Sequence, residues 1–130
     1  MILVDTSVVI PYLRGTDPKI DGMFRTLPVA VCGITHAELL HGVRSRTERA
    51  RTLTVLATFT FVPIPDSIWD TVGDNLYALR THGVTIPFAD AVIATVAVAN
   101  DIDLWTRDAH FTLVQRVLPA LKLFAEPPQP

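Results

Sequence analysis

Four acidic residues, Asp5, Glu38, Asp90 and Asp108, lie beside apolar segments at four separate places in the chain. Because like charges raise one another's pKa, four carboxylates brought together do not all stay ionised unaided. A hard divalent cation such as Mg²⁺ or Mn²⁺ removes this conflict, since such ions prefer oxygen ligands. A cation of this kind activates water and neutralises charge that develops on a phosphate oxygen. The set therefore predicts a metal site for phosphate-ester hydrolysis, provided that the fold brings the four acids together.

Each acid taken alone also fits a purely structural role. Acidic side chains at helix N-termini contribute about 0.3–1 kcal/mol through capping and the helix dipole. Three other acids are interpreted in this way: Asp17, Asp66 and Asp101. Asp5 and Asp90 differ because each adjoins a strongly apolar run, and burial of an unpaired acid is costly. From the residues alone, a shared metal site and a set of separate caps stay open as alternatives.

The elements that must position these acids alternate between strands and helices. Strands are predicted at 1–4, 29–32, 59–64, 103–106 and 121–124, with helices between them. One helix is expected to begin at a Thr35–Glu38 capping box. Strands separated by helices pair in parallel through right-handed crossovers, which predicts an α/β fold with a mostly parallel sheet of four to five strands. Ligands of such folds bind beyond the carboxyl ends of the strands, where all four acids are expected.

Composition limits the class of protein. The chain has 130 residues, 49% of them hydrophobic and 18% charged, which is typical of one globular domain and excludes a disordered or coiled-coil chain. The domain is expected to span 1–126, followed by a disordered proline-rich tail at 127–130. A single cysteine excludes an internal disulfide and fits a reducing compartment. Without a signal-like start or a run of about 20 apolar residues, a cytoplasmic location and no membrane contact are predicted.

A basic stretch follows the helix that carries Glu38. Its members are Arg44, Arg46, Arg49 and Arg51. With a formal net charge of −2 the whole surface is not that of a nucleic-acid binder, but this stretch is suited to follow an RNA backbone toward the acids. Arg107, next to Asp108, is a further candidate. A solvated helix face explains the same stretch equally well.

Four sequence blocks together resemble the PIN-domain ribonucleases of the VapC toxin type. They are 3–7 (LVDTS), 34–43 (ITHAELLHGV), 88–94 (FADAVIA) and 104–111 (LWTRDAHF), in the order and approximate spacing of that family. The resemblance implies a PIN-like three-layer fold and a Mg²⁺- or Mn²⁺-dependent endoribonuclease acting on structured RNA such as tRNA or rRNA. It also implies neutralisation by a VapB-type antitoxin and assembly into a homodimer.

The resemblance also implies roles for individual residues. Asp5, Glu38, Asp90 and Asp108 match the acidic quartet that binds metal and catalyses hydrolysis. Thr6 and Thr106 match hydroxyls that orient water or the acids. Many relatives read Thr-x-Asn-x-x-Asp-Phe in the last block, whereas here Asp108 takes the Asn place, so the fourth carboxylate is shifted. His110, which precedes Phe111, is interpreted as a surface residue, with a phosphate contact as the alternative.

Two other functions stay open beside the nuclease. A metal-dependent phosphohydrolase of small phosphoesters would use the same acids. A non-catalytic module would use them as caps and would bind a partner through its apolar surface, for which the stretches 7–13, 17–27 and 47–59 are candidates. Stabilisation by divalent cations separates the enzymes from the binding module.

Overall fold

The computed structural model describes residues 1–128 as alternating strands and helices. The first half contains β1 (Ile2–Val4), α1 (Thr6–Arg14), α2 (Pro18–Thr26), β2 (Val29–Cys32), α3 (Gly33–His41) and α4 (Arg46–Leu56). The second half contains β3 (Thr60–Val62), a 3₁₀ turn (Asp66–Ile68) that leads into α5 (Trp69–Thr81), then α6 (Phe88–Ala99), β4 (Asp103–Trp105) and α7 (His110–Val117).

The four strands found within residues 1–128 form a parallel sheet in the order β3-β2-β1-β4. In its centre Leu3 pairs with Ala30 of β2 and with Leu104 of β4. β1 and β2 are buried along their whole length, as expected for parallel strands that have helices on both faces. The predicted α/β fold with a parallel sheet is therefore confirmed.

The predicted fifth strand at 121–124 is reduced to a single bridge between Leu104 and Leu123. Two backbone bonds hold this segment on β4: Leu104 N–H donates to Lys122 O, and Phe124 N–H donates to Leu104 O, each at 2.8 Å. The segment thus covers the open edge of β4 and brings the residues after Phe124 toward the carboxyl end of that strand.

Two hydrophobic cores lie on the two faces of the sheet and make a three-layer molecule. Because side chains alternate along a strand, Leu3 enters one core while Ile2 and Val4 enter the other. The core that contains Leu3 also contains α6, whose residues 91–97 are all buried. The opposite core contains α1, α2 and the side chain of Trp105. Both cores hold the ends of β1 and β4 rigidly in place.

Three sequence predictions about caps meet different outcomes. Asp17 is confirmed as the N-cap of α2, since its carboxylate accepts hydrogen bonds from the N–H groups of Lys19 and Ile20 at 3.0 and 3.1 Å. The capping box at Thr35 is wrong, because α3 already begins at Gly33 with no intervening loop after β2. Asp101 as a cap is also wrong, since it follows α6 with φ 52°.

Asp66 does not cap α5 either, because it is the first residue of the 3₁₀ turn, which begins after Pro65 without a side-chain cap.

Near the C-terminal end of the sequence, Pro127 and Pro128 are exposed beside α2. The rest of the predicted tail, residues 129–130, lies outside the described residues, so the domain boundary stays a prediction. No helix in the described part of the chain is both long and apolar enough to cross a bilayer.

Candidate metal and catalytic site

The carboxyl edge of the sheet brings the four predicted acids within electrostatic reach of one another. Asp5 directly follows β1, and Asp108 follows β4, which pairs with β1 in parallel. Glu38 lies on α3 after β2, and Asp90 lies in the first turn of α6. The charges of Asp5, Glu38 and Asp108 all act on Asp90. Four segments far apart in sequence therefore meet at one place.

Asp5 is the buried centre of the site, with only 5% of its surface exposed. One carboxylate oxygen accepts hydrogen bonds from the Ser7 backbone N–H at 3.1 Å and from Ser7 Oγ at 2.6 Å. The other accepts from Thr106 Oγ1 at 2.6 Å. Burial raises the pKa of the Asp5 carboxyl; the bonds from Ser7 and Thr106 lower it by less, and the Asp108 charge adds to the rise. Asp5 is thus held in one orientation as the N-cap of α1 and as part of the site.

A pair of hydroxyl groups links the start of α1 to the loop after β4. Ser7 Oγ and Thr106 Oγ1 lie 3.3 Å apart. Ser7 Oγ accepts from the Arg107 backbone N–H at 2.8 Å, and Thr106 Oγ1 accepts from the Asp108 N–H at 3.0 Å. The Thr106 hydroxyl, predicted to orient water or the acids, contacts Asp5. The second side-chain contact to Asp5 comes from Ser7. Within residues 1–128 the Thr6 hydroxyl makes no hydrogen bond to any of the acids, so its role in orienting water stays a prediction.

Among the acids of the site, Asp90 is the one whose pKa is raised most strongly. Its pKa is raised to about 6, first by burial and then by neighbouring negative charge, which comes in decreasing order from Asp108, Asp5 and Glu38. The pKa of Glu38 is also raised, by burial and then by the Asp5 charge. Among the described residues no lysine or arginine forms an ion pair with these groups. The site therefore concentrates negative charge that the protein itself does not neutralise.

Asp108 and His110 form the more open side of the site. Asp108 Oδ1 accepts from the His110 backbone N–H at 2.9 Å and lies 3.2 Å from His110 Nδ1. One ligand atom each of Asp90, Asp108 and His110 lies within 4.8 Å of the others. The His110 side chain is 56% exposed, so it is a surface residue that also borders the acids. A donor set made mainly of unneutralised carboxylate oxygens fits a hard divalent cation.

The predicted RNA-binding arginines fall into two groups. Arg44, Arg46, Arg49 and Arg51 are all exposed. Of these, Arg51 lines a groove of about 190 Å³ that also contains Glu38. Arg107 differs, because its guanidinium forms ion pairs with Asp17 at 2.6 Å and Glu126 at 2.9 Å. These contacts favour a structural role for Arg107 over a contact with phosphate.

The fold and the acidic edge together define the class of protein. The profile of the PIN-domain family matches residues 2–117. Ribonuclease VapC10 of Mycobacterium tuberculosis is 32% identical over 123 residues, which cover 92% of each chain. The chain therefore belongs to the PIN-domain family, in its VapC-type group. The resemblance noted in the sequence is thereby confirmed.

Solved structures of toxin–antitoxin complexes share the fold. VapBC2 of Rickettsia felis, bound to a promoter DNA fragment, matches with a TM-score of 0.79 and 20% identity over 95% of this chain and 98% of that one. VapBC-1 of nontypeable Haemophilus influenzae matches with a TM-score of 0.79 and 20% identity over 95% of this chain and 97% of that one. At this identity the match concerns the three-layer architecture.

Proposed function

We propose that this protein is a Mg²⁺- or Mn²⁺-dependent endoribonuclease that hydrolyses phosphodiester bonds of structured RNA. The observation that supports this most directly is the meeting of Asp5, Glu38, Asp90 and Asp108 at one sheet edge, with raised pKa values for three of them. The similarity to a ribonuclease over 92% of the chain points to RNA as the substrate. A hydrolase of small phosphoesters would share the acids, but the similarity to a ribonuclease favours RNA as the substrate.

The acids divide into two tasks in the proposed hydrolysis. Asp5, Glu38 and Asp90 would hold the cation, which would neutralise charge on the phosphate and activate water. Asp108 lies at the open side, with its side chain 36% exposed, and it accepts a proton as water attacks phosphorus in line with the leaving oxygen. The Ser7 and Thr106 hydroxyls hold the Asp5 carboxylate in one orientation, which limits its movement as a ligand.

A VapB-type antitoxin is the proposed protein partner. Structures of similar fold are named as complexes of VapC with VapB or as toxin–antitoxin complexes. The 190 Å³ groove between α1, α3 and α4 has an apolar wall that includes Ile10, Leu13 and Val43, and Glu38 also lines it. An amphipathic segment that filled this groove would cover Glu38 and so inhibit the site. Addition of the antitoxin is expected to stop cleavage in proportion to the amount of complex formed.

A homodimer is the proposed assembly. Three large side chains on α5 and at the start of α6 are more than 40% exposed: Trp69, Tyr77 and Phe88. Tyr77 also borders a mainly apolar groove of about 320 Å³ between α5 and the segment 84–86. Such a surface is typical of a protein–protein contact. Light scattering is expected to give the mass of two chains, and replacement of Tyr77 by Ser to give the mass of one.

RNA cleavage by purified protein, freed of antitoxin, tests the proposed function. Wild type is compared with Asp5→Asn and Asp90→Asn in Mg²⁺, in Mn²⁺ and in excess EDTA. Asp66→Asn is the matched control, because it makes the same chemical change at an exposed acid that caps nothing. Cleavage is expected only with a divalent cation, and loss of a ligand is expected to reduce it by at least about a hundredfold. Wild-type cleavage rates in Asp90→Asn, or hydrolysis of small phosphoesters in place of RNA, would overturn the proposal.

A further inference from the structure

The side chain of Arg107 points away from the acidic site although it lies between Thr106 and Asp108. Its Nη1 is 2.6 Å from Asp17 Oδ2 at the start of α2. Its Nε and Nη2 each donate to Glu126, to Oε2 and Oε1 respectively, at 2.9 Å. This two-pronged arrangement is the strong, directional form of an arginine–carboxylate pair.

Glu126 is itself held by groups other than Arg107. Its Oε2 accepts from Trp105 Nε1 at 3.0 Å, and the Trp105 side chain is fully buried in the core. Lys19 Nζ lies 3.4 Å from Glu126 Oε1. The bond from Phe124 N–H to Leu104 O anchors the segment before Glu126 on β4. A buried indole, a lysine and a backbone bond therefore determine where Glu126 lies.

The backbone of the same loop faces the acidic site. The Arg107 N–H donates to Ser7 Oγ, and the Asp108 N–H donates to Thr106 Oγ1. Those two hydroxyls each donate to the Asp5 carboxylate at 2.6 Å. A displacement of Arg107 would therefore alter both contacts of Asp5 and the position of Asp108. Arg107 therefore connects the two sides of the loop. Its side chain binds the carboxylates of Asp17 and Glu126, and its backbone N–H donates to Ser7 Oγ beside the acids.

We propose that Glu126, through its ion pair with Arg107, is a positioning residue for the acidic site. The pair holds residues 106–108 so that Asp5 and Asp108 keep the spacing needed for a divalent cation and a phosphate. This inference rests on the proposed function, since it concerns the same site. It also gives Arg107 a role other than the predicted RNA contact.

Glu126→Gln tests the pair with little change of shape. The amide keeps an oxygen that can accept from Trp105 Nε1 but loses the charge that binds Arg107. Lys122→Gln is the matched control, because it breaks an exposed ion pair with Asp101 in the same C-terminal segment without touching the loop. Mn²⁺ affinity is measured by calorimetry, and kcat and KM are measured with RNA.

The expected result for Glu126→Gln is a loss of about threefold to tenfold in Mn²⁺ affinity, at or below the low end of the roughly tenfold to hundredfold range for groups that support metal ligands directly, and a lower kcat at unchanged KM. Arg107→Gln is expected to lose at least as much, because it also breaks the pair with Asp17, and the double variant is expected to be no worse than Arg107→Gln, because the Glu126 interaction is already lost there. Arg107→Lys, which keeps the charge, is expected to recover part of the affinity. Lys122→Gln is expected to behave as wild type.

Two results would overturn the inference. One is a fall in melting temperature of Glu126→Gln with wild-type Mn²⁺ affinity and kcat, which would make the pair merely structural. The other is a raised KM in Arg107→Gln with no effect of Glu126→Gln, which would make Arg107 an RNA contact.

Amide hydrogen exchange separates failure of this inference from failure of the proposed function. If wild type binds no Mn²⁺, the proposed function is wrong, and the pair is then judged by exchange at the Arg107 and Asp108 amides. Both amides donate to hydroxyls in the folded loop, so faster exchange in Glu126→Gln than in Lys122→Gln supports positioning. Equal exchange in the two variants would contradict it.

Discussion

Residues 106–108 separate two carboxylate clusters of opposite electrostatic character. The inner cluster contains only acids and a partly exposed histidine, and burial with mutual repulsion raises the pKa of Asp90 to about 6. In the outer cluster, Arg107 lowers the pKa of Asp17 and, together with Trp105 and Lys19, lowers that of Glu126 to about 2. The outer cluster is satisfied by the protein's own cations. Within the described residues the inner cluster lacks such internal cations, so its repulsion is relieved by protonation or by a bound cation, which is the property expected of a binding site rather than of a structural one.

Cation binding is expected to neutralise the inner cluster and so remove its difference from the outer one. This is the largest of the expected effects. At a hundred times the dissociation constant, Mn²⁺ stabilises the folded protein by about 2.7 kcal/mol, which raises the melting temperature by about 5 °C or more. Asp90→Asn is expected to lose most of this rise, whereas Glu126→Gln keeps most of it at saturating cation. Thermal unfolding with and without Mn²⁺ measures it. A rise of equal size in wild type and Asp90→Asn would mean that the ion binds elsewhere.

Without a cation, Asp90→Asn is expected to stabilise the protein. The pKa of Asp90 is about 6 in the folded state against an ordinary 3.8, so the stability gained by protonating it is complete below pH 3.8 and is lost as pH rises through 6. The neutral variant avoids this loss, which amounts to about 1–2 kcal/mol at pH 7.5 after allowance for solvent screening. Urea unfolding in EDTA at pH 7.5 and pH 4.5 measures the gain, which should shrink at the lower pH. A variant less stable than wild type at pH 7.5 would contradict the repulsion inferred for the inner cluster.

Glu126→Gln is expected to change the free energy of unfolding in the opposite direction, that is, to destabilise the protein. Because the pKa of Glu126 falls from an ordinary 4.5 to about 2, its contribution is present above pH 4.5 and is lost as pH falls toward 2. At pH 7.5 the variant is expected to be less stable by about 1 kcal/mol, since the group is partly exposed and screening reduces the effect. The deficit should shrink to a minor part of its size in urea unfolding near pH 2.5. A deficit of undiminished size there would have to come from packing rather than from charge.

The smallest effect is expected from the basic stretch that follows α3. If Arg46 and Arg49 contact phosphate, their joint replacement by Gln reduces the slope of log affinity for RNA against log salt by about one to two units. Fluorescence anisotropy with labelled RNA in EDTA measures binding without cleavage. Arg25→Gln, an exposed arginine on α2, serves as control. An unchanged slope would leave these residues as solvated surface charge.

The main features of the fold and of the inner cluster could be predicted because their signals are local. An apolar run that ends at Asp5 and another that begins after Asp90 each predict a buried element with an acid at one of its ends. Parallel pairing of strands separated by helices then brings those ends to one edge. For this reason the architecture was predictable, and so was the set of residues that meet, although the catalytic role of each acid stays a prediction.

Features that depend on tertiary detail could not be predicted. The contact of Ser7 with Asp5 is one example, because the second residue of α1 turns its hydroxyl toward the carboxylate. Thr35 matches a capping pattern but is fully buried inside α3, because the chain passes from β2 into that helix without a loop. The pair of Arg107 with Asp17 joins residues 90 positions apart, and no local periodicity indicates such a contact.

The pairing of β1 with β4 has a consequence for how the protein is made. Thr106 reaches Asp5 across a sequence separation of 101 residues, so the two halves of the site lie near opposite ends of the domain. Contacts of such long range form only after a large loss of chain entropy, and they form late. A growing polypeptide on the ribosome therefore holds no assembled site until β4 has emerged and joined the sheet. If the protein cleaves RNA as proposed, incomplete or truncated chains would be harmless to the cell that makes them.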